Sequence, residues 1–247
     1  TVDNCFGSPV DEPCARGVAW GATVNTFIVD SMTLLRRTNG NLLLVGSDYN
    51  GDNLDVVLFQ VDSFGLPIAG FGTNGTVHFD TGGYSDFVVD AVWKNSLLRI
   101  GGKMGTPAQH NFFSANIDLD TKTLSDLYLP DFAGIADAGR ALAFDGLGRE
   151  ILAGSVDGRS FTLTRRNSDG QLDTTFGTDG WATAGTEDDE LRDIAIDSSN
   201  RIIAVGQSPN GAVVMRFLEN GDPDPCFASG SCEGDGVFVQ PMLVSNY

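Results

Sequence analysis

Basic residues are scarce in this sequence, and apolar runs are short. Lysine and arginine together number 15 against 33 aspartates and glutamates, which gives a formal net charge of −18 at pH 7. A charge of this sign repels phosphate backbones and anionic lipid, and no basic stripe interrupts it, so neither nucleic acid nor a membrane surface is an expected partner. No apolar run approaches the ~20 residues that span a bilayer, so no membrane span is predicted.

Histidine and cysteine are equally rare. The two histidines, His78 and His110, have no G-x-S-x-G nucleophile motif nearby, and they supply too few ligands for a Cys/His zinc site. The four cysteines lie in two close pairs whose spacing fits neither a zinc finger nor a redox C-x-x-C motif. Two local disulfides are therefore predicted, and they indicate an oxidising, secreted or cell-surface location. The predicted pairs are Cys5–Cys14 and Cys226–Cys232.

Glycine is abundant, with 31 residues, and part of it marks an internal repeat. Four apolar segments each end in glycine, and the final glycines are 55, 53 and 52 residues apart. A period near fifty residues indicates a propeller or a related repeat array. The segments are Asn41–Gly46, Leu97–Gly101, Glu150–Gly154 and Arg201–Gly206.

A turn followed by phenylalanine is the second repeated feature. Its clearest copy is Asp173–Gly180, and Cys5 and Cys226 hold the same place in two other copies, directly before the phenylalanine. Because the same apolar residue recurs at the same turn, we expect these side chains to be buried between neighbouring units. They are Phe6, Phe71, Phe176 and Phe227.

The last unit shows the internal pattern most fully. Four short strands separated by turn signals are predicted, and no segment carries a helical apolar period. The second strand is a continuous apolar run, for which we expect cover on both faces. Four antiparallel strands of this kind make one propeller blade. The strands are Asp193–Asp197, Arg201–Val205, Ala212–Phe217 and Gly236–Val239.

The predicted fold is therefore all-β, a β-propeller of about four four-stranded blades in a single repeat domain. The units are 23–80, 81–130, 131–185 and 186–241, with 1–22 and 242–247 as terminal closing segments. We expect Gly17–Thr23 and Gly236–Leu243 to lie near each other and close the ring. An open arc from a longer parent protein is the alternative.

Several of these motifs resemble a known family. Asp169–Gly177, with Arg165–Asn167 before it and Arg201–Gly206 after it, looks like the delta-sixty (delta-60) repeat of bacterial secreted and surface proteins. The third and fourth units match best, whereas the second has Asn116–Leu124 where the turn belongs. The resemblance implies a propeller-like fold and brings no catalytic residues.

Clustered acids are the candidate binding residues. Asp48, Asn50, Asp52 and Asp55 place oxygen ligands at alternating positions, as a calcium loop requires, although the pattern departs from the EF-hand. The alternative is a plain hairpin turn. Glu187–Glu190 is either a solvated face or a site for a divalent cation or a cationic partner. Asp222 and Asp224 either hold a cation or belong to the repeat's own turn. Calcium is thus the one cofactor that the sequence suggests.

The sequence leaves two classes of function open. The first is a non-catalytic secreted or cell-surface module that binds carbohydrate or protein, or assembles with itself. The second is an extracellular polysaccharide hydrolase or lyase that uses clustered aspartates. An enzyme should show acids with perturbed pKa values converging in one deep pocket, and a binding module should show shallow sites. The three tryptophans are core residues or sugar-stacking residues, and they are Trp20, Trp93 and Trp181.

Overall fold

A computed structural model describes residues 32–82, 85–106, 109–130, 137–156, 159–186, 188–228 and 232–241. All regular secondary structure in these ranges is β, and no helix there is long and apolar enough to cross a membrane. The strands of the first half are β1 (Thr33–Arg36), β2 (Leu42–Tyr49), β3 (Leu54–Val61), β4 (Thr76–Phe79), β5 (Ser85–Lys94), β6 (Leu97–Thr106), β7 (Gln109–Asp118) and β8 (Thr123–Tyr128). Those of the second half are β9 (Asp137–Phe144), β10 (Glu150–Val156), β11 (Arg159–Arg166), β12 (Trp181–Ala184), β13 (Glu190–Ile196), β14 (Ile202–Ser208), β15 (Gly211–Phe217) and β16 (Val237–Pro241).

The strands form four antiparallel sheets of four strands each, ordered β1-β2-β3-β4, β5-β6-β7-β8, β9-β10-β11-β12 and β13-β14-β15-β16. Within each sheet, every strand is paired with the next one along the chain, which is the construction of a propeller blade. The predicted fold class, an all-β protein of β-propeller type with four-stranded blades, is confirmed. The predicted closing strand at Gly17–Thr23 lies outside the described residues, so closure stays a prediction.

The chain divides into two compact structural units, which are distinct from the four repeats of the sequence. The first runs to Ile100 and includes Asn116–Ser125, and the second consists of Gly101–Ala115 and the chain from Asp126 onward. The first unit buries apolar residues of β2 and β3, such as Val45 and Leu58. The core of the second unit is formed by the third and fourth sheets, with Phe161, Leu163, Phe176 and Phe217 among its largest buried side chains.

The glycines that end the third and fourth apolar runs have a packing reason. A Cβ built on Gly154 would lie 2.0 Å from the carbonyl oxygen of Ala138, and one on Gly206 would lie 2.0 Å from that of Glu190. The register of the sheet shifts at both places, so the first strand bulges against the second. Only a residue without a side chain allows this approach, which explains the repeated glycine.

The cover of the apolar strands differs between the last two sheets. All but the last residue of β10 are buried, because β10 lies in the second unit between β13 and the Gly101–Ala115 segment. In β14, Ile202 and Ala204 are buried but Val205 is 37% exposed. The prediction that the apolar run of β14 is covered on both faces is therefore wrong. In the described chain, a neighbouring sheet packs on only one of its faces.

The repeated phenylalanines do not share one environment. Phe176 is fully buried, and Gly221, in the turn after β15, lies against its ring. It therefore packs between the third and fourth units, as predicted. Phe71 is also buried, whereas Phe227 is only half-buried. Phe6 lies outside the described residues.

Candidate functional site

The predicted calcium loop is the turn of the β2–β3 hairpin. Asp48 lies directly opposite Asp55 across the hairpin. Asn50 organises the turn, because its Nδ2 donates to Asp55 Oδ2 at 2.9 Å and its Oδ1 accepts the amide of Asp52 at 2.8 Å. The side chain of Asp52 is exposed to solvent. The structure therefore brings Asp48, Asn50 and Asp55 together and leaves Asp52 apart.

The two opposed carboxylates are incompletely satisfied. Asp48 Oδ1 and Asp55 Oδ1 are buried, and neither has a hydrogen-bond partner among the described residues. Like charges directly opposite each other destabilise a strand pair, so a counter-charge would stabilise this hairpin. In the described ranges, however, no group of three or more His, Cys, Asp or Glu side chains is arranged to hold a metal ion. Calcium binding stays a prediction.

A repeated set of buried aspartates escaped the sequence reasoning. Asp86, Asp137 and Asp189 lie at or just before the first strand of the second, third and fourth sheets, and all three are buried. The Thr81 hydroxyl donates to Asp86 Oδ1 at 2.5 Å, and the Thr186 amide donates to Asp189 Oδ2 at 2.7 Å. The carboxylates of Asp86 and Asp189 thus fasten the connection between one sheet and the next. Their spacing of 51 and 52 residues was the signal that could have revealed them.

Asp86 has the most perturbed acidity of this set. The pKa of Asp86 is raised to about 6. Burial is the largest cause, the hydrogen bonds from Thr81 oppose it, and the nearby charges of Asp55 and Asp80 add to it. An acid of this kind is a candidate proton donor. It lies at the start of β5, whereas Trp93 lies near the end of the same strand.

The phenylalanine turn carries a buried ion pair in two of its copies. Arg165 Nε donates to Asp173 Oδ2 at 2.8 Å, and Arg216 Nε donates to Asp224 Oδ2 at 2.7 Å. Each guanidinium also lies over the phenylalanine of its own turn, with 4.4 Å to the centroid of Phe176 in the first case. Burial, the largest single influence, raises the pKa of Asp173. The hydrogen bonds that its carboxylate accepts from Thr175 and Arg165 outweigh burial, so the pKa is lowered overall. Asp173 and Asp224 therefore stabilise the turn to which they belong. For Asp224, this is the alternative to cation binding.

The predicted acidic run before β13 is not one solvated face. Asp188 is exposed, Asp189 is buried, and Glu190 pairs with Arg192 at 2.7 Å. Glu187 lies outside the described residues. The three described acids, Asp188, Asp189 and Glu190, therefore do not point to one shared ligand.

One of the two predicted disulfides can be inspected. Cys226 and Cys232 are joined by a disulfide bond, which confirms that pair. Cys5 and Cys14 lie outside the described residues, so their pairing stays a prediction.

A shallow groove in the first unit is the site that sequence reasoning missed. It consists of two adjoining hollows of about 380 and 420 Å³, which share Arg37 and Asp120 in their walls. Its charged and aromatic side chains come from three turns and the strand ends beside them, those between β1 and β2, between β5 and β6, and between β7 and β8. Gln60 of β3 and Ile68 and Phe71 of the β3–β4 connection complete one wall. We call it the basic groove, and its principal side chains are Arg36, Arg37, Trp93, Asn95, Asp120 and Lys122.

Local hydrogen bonds fix these turns. Gly40 donates its amide to the Arg37 carbonyl at 3.0 Å, and the Arg37 amide donates to the Asn41 carbonyl at 2.8 Å. In the β7–β8 turn, Asp118 Oδ1 accepts the amides of Asp120 and Thr121, and these bonds lower the pKa of Asp118. The turns therefore hold the ends of the groove in a defined geometry.

The basic groove has an excess of positive charge, whereas the molecule as a whole has a net charge of −18. No carboxylate in the described chain lies within ion-pair distance of Arg36, Arg37 or Lys122. Trp93 is half-buried in the wall, and its Nε1 has no hydrogen-bond acceptor among the described residues. Of the other predicted aromatic candidates, Trp181 is half-buried in β12 and Trp20 lies outside the described residues.

Comparisons with known proteins add little to this picture. No family model and no curated protein matches the sequence. A GH43 endo-arabinanase from Bacillus licheniformis is 12% identical over 89% of this chain and 82% of its own, with a TM-score of 0.49. PorZ, a surface component of the type-IX secretion system of Porphyromonas gingivalis, is 12% identical over 92% of this chain and 30% of its own, with a TM-score of 0.45. The catalytic domain of a Coprinopsis cinerea GH62 α-L-arabinofuranosidase is 7% identical over 80% of this chain and 67% of its own, with a TM-score of 0.47. Likenesses this remote carry no argument about what the chain does.

Proposed function

We propose that this chain is an extracellular, non-catalytic carbohydrate-binding module and that the basic groove is its binding site. The observation that carries the proposal is the groove itself. There, Arg36 and Arg37, which have no carboxylate partner among the described residues, gather with polar side chains around a half-buried tryptophan. The flat, amphipathic indole of Trp93 suits the face of a sugar ring, and Asn95 and Ser96 beside it offer hydrogen bonds to hydroxyl groups.

The position of the groove supports a binding role. Its walls are turns, whose residues can vary without disturbing the sheets that carry them. Its two hollows are open and shallow, which fits a polymer that passes across the surface. The extracellular location is supported by the Cys226–Cys232 disulfide, because such bonds persist in oxidising compartments. Membership of the delta-sixty repeat family is part of the same proposal.

The alternative is a polysaccharide hydrolase or lyase. Its best candidate acid is Asp86, whose pKa is raised to about 6. Asp86 and Trp93 are seven residues apart on β5, a separation of roughly 23 Å at 3.3 Å per residue. Asp86 is also fully buried and bonded to Thr81, so it does not reach a sugar held in the basic groove.

The experiment is a binding screen combined with an activity assay on the intact chain. Immobilised and soluble polysaccharides are tested for retention, and the same samples are tested for new reducing ends and for the unsaturated products of a lyase. We expect retention without cleavage, and we expect Trp93→Ala to abolish it while Trp181→Ala leaves it unchanged. Cleavage that is lost in Asp86→Asn would replace the proposal by the enzyme alternative.

A further inference from the structure

We infer that the ligand of the basic groove is an acidic polysaccharide, one that carries a carboxylate on its sugar units. This inference rests on the proposed function, because it names the ligand class of the same site. Its first support is the contrast between the cations of the groove and the ion-paired arginines elsewhere in the described chain.

Most arginines of the second unit have an internal ion-pair partner. Six of them have a carboxylate oxygen within 3.3 Å, and the partners come from turns and neighbouring strands. Acids outnumber bases by more than two to one in this sequence, so internal partners are easy to find. The paired residues are Arg149, Arg165, Arg166, Arg192, Arg201 and Arg216.

The cations of the basic groove are treated differently. Arg36 and Arg37 are neighbours in sequence, and Lys122 reaches the same groove from another turn. None of the three has a carboxylate within ion-pair distance in the described chain, and the groove wall holds a single acid, Asp120. Three positive charges beside a single acid leave the groove with an excess of positive charge. An anionic ligand supplies the missing counter-charge.

The chemistry of the groove selects carboxylate from other anions. Arginine binds a carboxylate through two parallel hydrogen bonds, and Arg37 is half-buried, where such bonds are stronger than in open water. Asp120 and Asn95 remain to bind the hydroxyl groups of the sugar. Trp93 provides the surface on which a ring packs. A bare phosphate would use the arginines but leave the tryptophan and the asparagine without a role.

The net charge of −18 disfavours a ligand with a high density of negative charge. Duplex DNA carries one charge per about 1.7 Å, and a chain this acidic repels such a polymer strongly. A polyuronate carries one charge per sugar, so fewer charges approach the acidic surface. Salt screens the remaining long-range repulsion over about 10 Å at 0.1 M, while contacts inside the groove are screened much less.

The test compares two forms of one polymer. Isothermal titration calorimetry measures the affinity of the intact chain for oligogalacturonate and for the same oligomer with its carboxyl groups methyl-esterified. We expect the acid to bind at least tenfold more tightly than the ester. We expect the variant Arg36→Gln/Arg37→Gln to lose this preference, whereas Arg192→Gln, an exposed arginine of the second unit, keeps it.

The possible failures are distinguishable. If acid and ester bind equally and Trp93→Ala weakens both, the groove binds sugars and the inference about charge is wrong. If Arg36→Gln/Arg37→Gln retains the full preference for the acid, the inference about the groove is wrong. If neither oligomer and no polysaccharide in the wider screen binds, the proposed function is wrong as well.

Discussion

Phe176 shows how one repeated side chain connects two units. It is fully buried, Arg165 lies over its ring, and Gly221 of the next repeat lies against the same ring. We expect Phe176→Ala to lower the free energy of unfolding by about 3–5 kcal/mol, because it leaves a cavity in the core of the second unit. Phe227→Ala is the matched control, since Phe227 holds the same repeat position but is half-buried. Urea denaturation measures both, and equal losses would contradict this account.

Asp86 makes stability depend on pH. Burial raises its pKa from 3.8 to about 6, so its stabilising contribution is complete below pH 3.8 and is lost as the pH rises through 6. A shift of this size corresponds to about 3 kcal/mol. We expect Asp86→Asn to flatten the profile of unfolding free energy between pH 4 and 7. Asp52→Asn, at an exposed turn, should keep the wild-type slope. Parallel profiles for the wild type and Asp86→Asn would exclude Asp86 as the titrating group.

At the scale of elements, the phenylalanine turn appears in two chemical versions. In the third repeat, Arg165 pairs with Asp173. The first repeat has Gln60 and Ile68 at the same backbone positions. In both versions the amide of the second residue donates to the carbonyl of the first. The turn therefore forms with or without the ion pair.

A double-mutant cycle tests that conclusion. Asp173→Ile alone leaves the Arg165 guanidinium buried and unpaired, which should cost about 3–5 kcal/mol. Arg165→Gln/Asp173→Ile installs the pair used by the first unit, and we expect it to be more stable than Asp173→Ile alone. Denaturant unfolding measures each variant. A double variant as unstable as the sum of the two single variants would show that the pair has no coupling.

The elements were predictable where the physical cause is local. The apolar runs and their final glycines indicated the positions of β2, β6, β10 and β14, and in the third and fourth sheets that glycine faces a bulge of the neighbouring strand. The turn between β7 and β8 lies within Asn116–Leu124, the segment of the second repeat that departs from the repeated turn motif. The buried pair of Arg165 and Asp173 was missed, although the same eight-residue spacing separates Arg216 from Asp224.

The basic groove could not be predicted from the sequence. Its side chains come from turns near residues 37, 95 and 120, and only the packing of sheets within the first unit brings them together. Nor does a sequence with a net charge of −18 suggest a local excess of positive charge. The calcium loop, in contrast, was suggested by a sequence pattern that ordinary turns also show. Asn50 Oδ1 and Asp55 Oδ2 are already engaged in hydrogen bonds of the turn itself.

The whole molecule offers a test of the calcium prediction. A cation near Asp48 and Asp55 would relieve the repulsion between their opposed carboxylates, and a site of the folded state raises stability by about 2.7 kcal/mol at a hundredfold excess over Kd. A chelator should then lower the melting temperature, and added calcium should restore it, with magnesium a poor substitute. A melting curve that neither treatment changes would show that these acids are turn residues only.

The disulfide is also tested on the whole molecule. The Cys226–Cys232 bond closes a loop with a sequence separation of 6 residues. A loop this short should contribute roughly 2–3 kcal/mol in the chain-entropy model. The variant Cys226→Ser/Cys232→Ser is therefore expected to melt earlier than the wild type in non-reducing buffer. Mass spectrometry of the unreduced digest should find Cys226 linked to Cys232, and free thiols at these positions would refute the assignment.

The most direct test of the binding proposal locates the ligand on the folded chain. Hydrogen exchange of backbone amides is measured with and without saturating oligogalacturonate. The account predicts that protection rises in the three turns of the basic groove, at residues 37–41, 94–97 and 118–123, and that Arg36→Gln/Arg37→Gln removes the effect. Protection confined to the second unit, or unchanged exchange at all three turns in the presence of bound ligand, would contradict it.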